Sequence, residues 1–145
     1  MSDPDPHHCM LVSTKAVLHQ NGRVLLVKNA RAEWDLPGGT LLRGETLKQC
    51  LARELKEELG FSVEARRVMD AFHHHVYENI LVIVYECPCP EELAVSLSDE
   101  HSESRWCNLS DLPGMNMPEH YRKVVMDAAG SAGFTGSGTE KTADA

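Results

Sequence analysis

No cluster of Lys and Arg occurs anywhere along the 145 residues, and the formal net charge is -8 at pH 7. Such a chain lacks the electrostatic footprint for a nucleic-acid backbone or an anionic membrane surface, so neither is expected as a partner. A phosphorylated small molecule stays open, because bound metal reverses the local field. A signal peptide and a long apolar run are also missing, and no membrane span is expected. Cysteine comes to an odd five, Cys9, Cys50, Cys87, Cys89 and Cys107. That count, without a targeting segment, predicts thiols in a soluble protein of the reducing cytoplasm. Cys87-Pro88-Cys89, His7, His8 and His73-His74-His75 supply zinc-ligand types, but no spaced Cys or His pair is followed by a matching second pair. Zinc is therefore not expected.

What is present suits one globular domain: 42% hydrophobic and 25% charged residues, with no internal repeat. Residues 1–8 are polar and Pro-interrupted, predicting a flexible N-terminal arm. Residues 9–129 form the single expected domain. From 130 to 145, "GSAGFTGSGTEKTADA" is small and polar, and a disordered tail is expected. "MLVSTKAVLHQNGRVLLVKN" reads as two strands joined at Asn21-Gly22, a strong hairpin signal. "WDLPGG" is a brief extended stretch, and Thr46 with Gln49 makes a capping box opening a helix to about Leu59. "FSVEARRVMDAFHHHV" and "NILVIVYECP" predict two more strands paired around Tyr77-Glu78-Asn79, and "RWCNL" a short one. Pro118 opens a second helix. The expected class is α/β (α+β): a mixed sheet with helices on both faces.

The first helix ends in "RELKEELG", Arg53 to Gly60. At about 100° per residue, Leu51, Ala52, Leu55 and Leu59 form an apolar stripe, with Gln49, Arg53 and Lys56 on the far side. Glu54, Glu57 and Glu58 fill the wedge beside the stripe. Each i,i+3 or i,i+4 pair of like charges costs roughly 0.2–0.5 kcal/mol. Acids near a helix C-terminus cost roughly 0.3–1 kcal/mol each besides. A solvated face balanced by Arg53 would account for Glu57 alone. Pro37-Gly38-Gly39 permits a backbone that turns carbonyl oxygens toward the helix, and Glu45 adds a fourth acid beside its start. Carboxylates plus a carbonyl are the hard-oxygen set that Mg²⁺ takes. Arg53, pointing away from the wedge, could reach back to Glu45 and pin the loop.

Gly39, Glu45, Arg53, Glu54, Leu55, Glu57, Glu58, Gly60 and Phe61 match the Nudix box at every fixed position and spacing. The stretch resembles the loop–helix–loop site of the MutT-like Nudix hydrolases, and the flanking elements agree from about Met10 to Ala129. The resemblance implies an α/β/α sandwich and a cytoplasmic pyrophosphatase. It would hydrolyse a diphosphate linkage between a nucleoside diphosphate and another group, with Mg²⁺ or sometimes Mn²⁺. Glu54, Glu57, Glu58 and the Gly38 carbonyl would be metal ligands, and Glu45 would either form a structural clamp with Arg53 or reach a second metal through water. The general base would be Glu54 or Glu57, or a loop acid in "SDEHSESRW". Glu103 has the spacing to Trp106 of such an acid, with Glu100 and Asp99 as competitors.

Lys28 and Arg31 are candidates for phosphate contact, and Trp34 for base stacking or the core. Phe72, Tyr77 and Tyr121 are further stacking candidates. Within the family, "WDLPGG" does not choose between a nucleotide sugar such as ADP-ribose and a nucleoside triphosphate cleaved to monophosphate and pyrophosphate. Gly38 stands where many dinucleoside-polyphosphate members have Lys, which disfavours diadenosine tetraphosphate. Rival classes are a non-catalytic nucleotide sensor, which would usually lose box acids, and the isopentenyl-diphosphate isomerase branch, whose members are longer and depart from a complete box. Monomer and homodimer both remain open.

Overall fold

Asn21 and Gly22 both take positive φ, 48° and 74°, which closes the tight turn between β1 (Leu11–Gln20) and β2 (Arg23–Lys28). The computed structural model describes residues 9–74, 79–89 and 103–130, so the predicted Tyr77 turn and both terminal segments lie outside the described residues. Two short strands follow the hairpin, β3 (Trp34–Asp35) and β4 (Gly38–Thr40). Helix α1 (Leu47–Leu59) precedes β5 (Arg67–His74) and β6 (Ile80–Pro88). Strand β7 (Ser104–Asn108), a 3-10 turn (Leu109–Gly114) and α2 (Glu119–Gly130) complete the described chain.

Strand β1 is the hub of the sheet, whose order is β3-β2-β1-β6-β5. It pairs in parallel with β6 along its length, from Leu11 opposite Ile80 to His19 opposite Pro88. Its other edge is shared: Ser13–Lys15 pair antiparallel with β4, and His19–Gln20 with β2. Strand β7 pairs antiparallel with β2. Alternation along the strands then fills two cores. Ala16, Leu18, Leu25, Val27 and Tyr85 meet Leu51, Leu55 and Leu59 of α1. Val17, Val24, Leu26, Val82 and Val84 meet Leu112 and, from α2, Tyr121, Val124 and Val125. The sheet is mixed and has a helix on each face, as expected.

Helix α1 starts at the capping box: the Gln49 N–H donates to Thr46 Oγ1 and the Thr46 N–H to Gln49 Oε1. It stops at Gly60 in the left-handed region, φ 84°, whose N–H reaches the Lys56 carbonyl at 3.0 Å. Its buried residues are Cys50, Leu51, Leu55, Glu58 and Leu59. Ala52, expected on the apolar stripe, is exposed, because the buried wedge is rotated toward Cys50 and Glu58. Residues 61–66 are irregular, so the strand expected from Phe61 begins only at Arg67.

One buried acid ties the far end of the sheet. Glu86 is 1% exposed and accepts from Arg67 Nε at 2.6 Å, with His19 Nε2 at 2.8 Å and Arg66 at 3.6 Å. Burial alone would raise its pKa, but Arg67 and His19 outweigh this and hold it below the ordinary 4.5. Burial likewise drives His19 below 6.5, despite the pull of Glu86. In both cases the unfolded chain binds more protons, so stability falls as pH drops, first below about 6.5 and further below about 4.5. Melting temperature measured between pH 4 and 8 should fall toward acid, and Glu86→Gln should flatten the lower part of that profile.

Candidate active site

Two adjacent glycines let three backbone segments meet. Gly38 has φ 145°, and a Cβ there would lie 2.0 Å from the Thr14 carbonyl oxygen and 2.8 Å from Lys15 Cα. Its side of β4 is therefore pressed directly onto β1. A Cβ on Gly39 would lie 2.2 Å from Glu54 Cδ. Its missing side chain is the space that the Glu54 carboxylate occupies. The Gly38 N–H donates to Glu58 Oε1 at 3.2 Å, so the loop is anchored to α1 by an acid that is only 6% exposed.

Arg53 does pin the loop, but it does not point away from the acids. Its Nε meets Glu45 Oε2 at 2.5 Å, and its Nη2 meets Glu45 Oε1 at 3.1 Å and the Thr40 carbonyl at 3.0 Å. Its Nη1 reaches Glu54 Oε2 at 2.8 Å and Glu57 Oε1 at 3.3 Å. The guanidinium is long and forked, so it serves loop and helix at once. The hydrogen bond from Arg53 chiefly holds the Glu45 carboxyl below the usual range. The expectation that Arg53 accounts for Glu57 alone is corrected, since it also holds Glu54; Glu58 meets no cation of its own helix turn but the amide of Gly38, 20 residues away. Among the described residues no three ligating side chains are already gathered at one point. The donor chemistry nonetheless fits a hard cation, since Glu54 and Glu58 present carboxylate oxygens beside the Gly38-Gly39 backbone and Glu57 adds a third on the same helix, joined to Glu54 through Arg53.

The loop opens into a cleft of about 400 Å³, whose lining includes Gly39, Thr40, Lys15, Asp35, Arg31 and Tyr121. Sequence reasoning missed Lys15 and Asp35. The signal for Lys15 was there, a lone charge within the apolar run "STKAVL". Arg31 sits on a loop that Asn29 folds, its Oδ1 accepting from the N–H groups of Arg31 at 2.9 Å and Glu33 at 3.0 Å. Tyr121 is buried and lines the cleft, whereas Phe72 is stacked on His120 with ring centroids 3.6 Å apart.

The remaining candidates lie elsewhere. Trp34 is 6% exposed within the α2-side core, with Lys28 Nζ 4.4 Å and Arg105 Cζ 4.8 Å from its ring centre. This is a core position capped by cations, outside the lining of the cleft. Glu103 pairs with Lys28 at 3.7 Å instead of joining the acids of α1. Glu103 stands just ahead of β7, and the Lys28 N–H donates to its carbonyl at 3.1 Å, so the two residues are cross-strand neighbours. Glu100 and Asp99 fall outside the described residues.

The NUDIX domain model matches residues 11–128. The chain belongs to the Nudix hydrolase family, enzymes acting on phosphoric anhydrides. A MutT-like protein of Streptomyces ambofaciens is 30% identical over 129 residues, 88% of this chain and 81% of that protein. The CTP pyrophosphohydrolase of Escherichia coli K12 is 25% identical over 104 residues, 68% of this chain and 76% of that one. Two other curated relatives are matched over only 44% and 46% of their own length. Among solved structures, the MutT protein of Methanosarcina mazei Go1 superimposes with a TM-score of 0.74 at 26% identity, covering 84% of this chain and 94% of that one. Among the described residues no helix is long and apolar enough to cross a membrane.

Proposed function

We propose that this Nudix hydrolase cleaves the diphosphate linkage of a nucleotide, with Mg²⁺ or Mn²⁺ held by Glu54, Glu57, Glu58 and the Gly38 carbonyl. One observation carries the reading: the cleft ends on Gly39, and Gly39 is the residue against which the Glu54 carboxylate rests. A substrate lying in the cleft would thus bring its phosphates to the acids of α1. When bound, the cation supplies charge neutralisation on the diphosphate and acidifies water in the site.

The protein's own groups position the rest. Arg53 holds Glu54 against the loop and Glu45 beneath it. Glu57, with 60% of its side chain exposed, is free of the packing that fixes Glu58 and is suited to accept a proton from the attacking water. Glu54 and the loop acids Glu103 and Glu100 are the other candidates for that role, Glu103 lying 3.7 Å from Lys28 as Glu57 lies 3.3 Å from Arg53. In-line attack of the water on phosphorus breaks the anhydride and leaves two phosphorylated products. Arg31 is exposed at the cleft, its Nε 3.3 Å from Glu33 Oε1, and would contact the phosphates by exchanging that partner for them.

Nucleoside triphosphates, as in the name of the CTP pyrophosphohydrolase, and nucleotide sugars are the substrate classes to compare. A panel of both, followed by chromatography of the products with Mg²⁺ and with a chelator, is expected to show turnover of at least one, lost on chelation. Tight nucleotide binding without turnover of any diphosphate would instead identify a sensor.

A further inference from the structure

The sheet ends at β5, and among the described residues no strand pairs with its outer edge. Which backbone groups are open there follows from β6. The Glu86 carbonyl takes the Arg66 N–H at 2.7 Å, so the even-numbered residues of β6 turn their backbone toward β5. Asp70, Phe72 and His74 stand opposite Val84, Val82 and Ile80 and answer them. Ala71 and His73 therefore turn their N–H and C=O groups outward. The Ala71 N–H agrees with this, since it is met at 2.9 Å by Oδ1 of its own neighbour, Asp70.

This edge is guarded over only half its length. Arg67 and the bulge between Val68 and Asp70 blunt the first half, but the regular run Asp70–His74 holds neither Lys nor Pro. On the α1 side Val68 is 52% exposed, Ala71 is exposed, and Leu81 and Ile83 are only partly buried. A bare edge backed by apolar surface is a template for another strand. The run is complementary to itself. Turned antiparallel about Phe72, the outward groups of Ala71 meet those of the partner's His73, and the converse pair gives four main-chain hydrogen bonds in all. The Ala71 N–H then leaves Asp70 Oδ1, and the same register sets that carboxylate opposite the imidazole of the partner's His74. The two Phe72 rings meet at the axis. Centring the pair on Ala71 instead would run His73 into the bulge at Met69 and forfeit half of these bonds.

We propose that two copies of this chain pair through β5, one sheet running through both, with Asp70 of each facing the partner's His74. His74 also lines the cleft, so the interface borders the site. Sedimentation velocity of the full chain at micromolar concentration and physiological ionic strength tests it, and wild type is expected to sediment as a dimer. Ala71→Glu with His73→Glu gathers four carboxylates on one face across the axis and is expected to weaken the dimer by about tenfold or more. Ala71→Glu with His73→Lys sets an acid opposite each ammonium and is expected to restore it. Both positions are exposed, and thermal melting checks that each variant folds. Should the acidic pair not fold, Ala71→Lys with His73→Lys supplies the like-charge arm. A monomeric wild type, a dimer that like charges leave intact, or one that the complementary pair does not restore would overturn the proposal. Failure of every variant to fold would overturn it too, by placing Ala71 and His73 inside the fold of one copy. None of these outcomes bears on the hydrolase reading.

Discussion

Glu58→Gln is expected to lower kcat by about 10²–10⁴-fold while leaving the metal-free protein folded. The side chain is 6% exposed and accepts the Gly38 N–H at 3.2 Å. A glutamine carbonyl keeps that hydrogen bond at nearly the same volume, so the loop retains its anchor on α1. What it loses is the negative charge that would hold a cation beside the diphosphate, an interaction worth several kcal/mol in the transition state. Removing one of three neighbouring acids also relieves repulsion, so stability without metal should change by no more than about 1 kcal/mol. Metal affinity measured by calorimetry should fall along with kcat. A variant that keeps its turnover, or one that unfolds, would assign Glu58 a purely structural part.

The second large effect separates two neighbours. Gly38→Ala should destabilise the protein by about 3 kcal/mol or more, because its Cβ would meet backbone, the Thr14 carbonyl at 2.0 Å, at a φ of 145° that side chains avoid. Neither β1 nor β4 can yield without breaking the pairing of Lys15 with Gly38. Gly39→Ala should behave otherwise. The atoms nearest its Cβ would be those of the Glu54 carboxyl group, the closest at 2.2 Å, the far end of a side chain that can swing aside. The fold should survive with a cost of about 1 kcal/mol, while displacement of Glu54 by about an ångström lowers kcat by about 10²-fold. Denaturant titration beside kinetics on both variants distinguishes the two failures. Equal loss of stability in both would show that Glu54 is locked in place.

Much of this was legible in the residues, for local reasons. The capping box of Thr46 and Gln49, Gly60 at the helix end, Asn21-Gly22 in the hairpin and Pro118 before α2 each act within a few residues, and each does what its chemistry dictates. The clamp of Arg53 on Glu45 was likewise readable from the box. Its further reach to Glu54 and Glu57 was not, since a helical wheel treats a flexible guanidinium as a fixed ray. Lys15 and Asp35 escaped because they belong to strands that do not pair with each other; β1 and β3 are brought together only through β2. Glu103 was read from its spacing to Trp106, whereas its pairing with Lys28 follows from the register of β7 on β2. Such non-local facts depend on sheet order, which local pattern does not specify.

The parallel partnership of β1 with β6 also governs when the protein can become itself. The chain ahead of Ile80 contains the glycine loop and all of α1, yet β1 lacks its long neighbour until β6 has been made. Closing a loop of that size before any contact rewards it is entropically slow, and folds dominated by such pairings reach the native state late. A nascent chain halted just after α1 would therefore carry the acids on a marginal helix, with no cleft beside them and an unpaired strand edge exposed to aggregation.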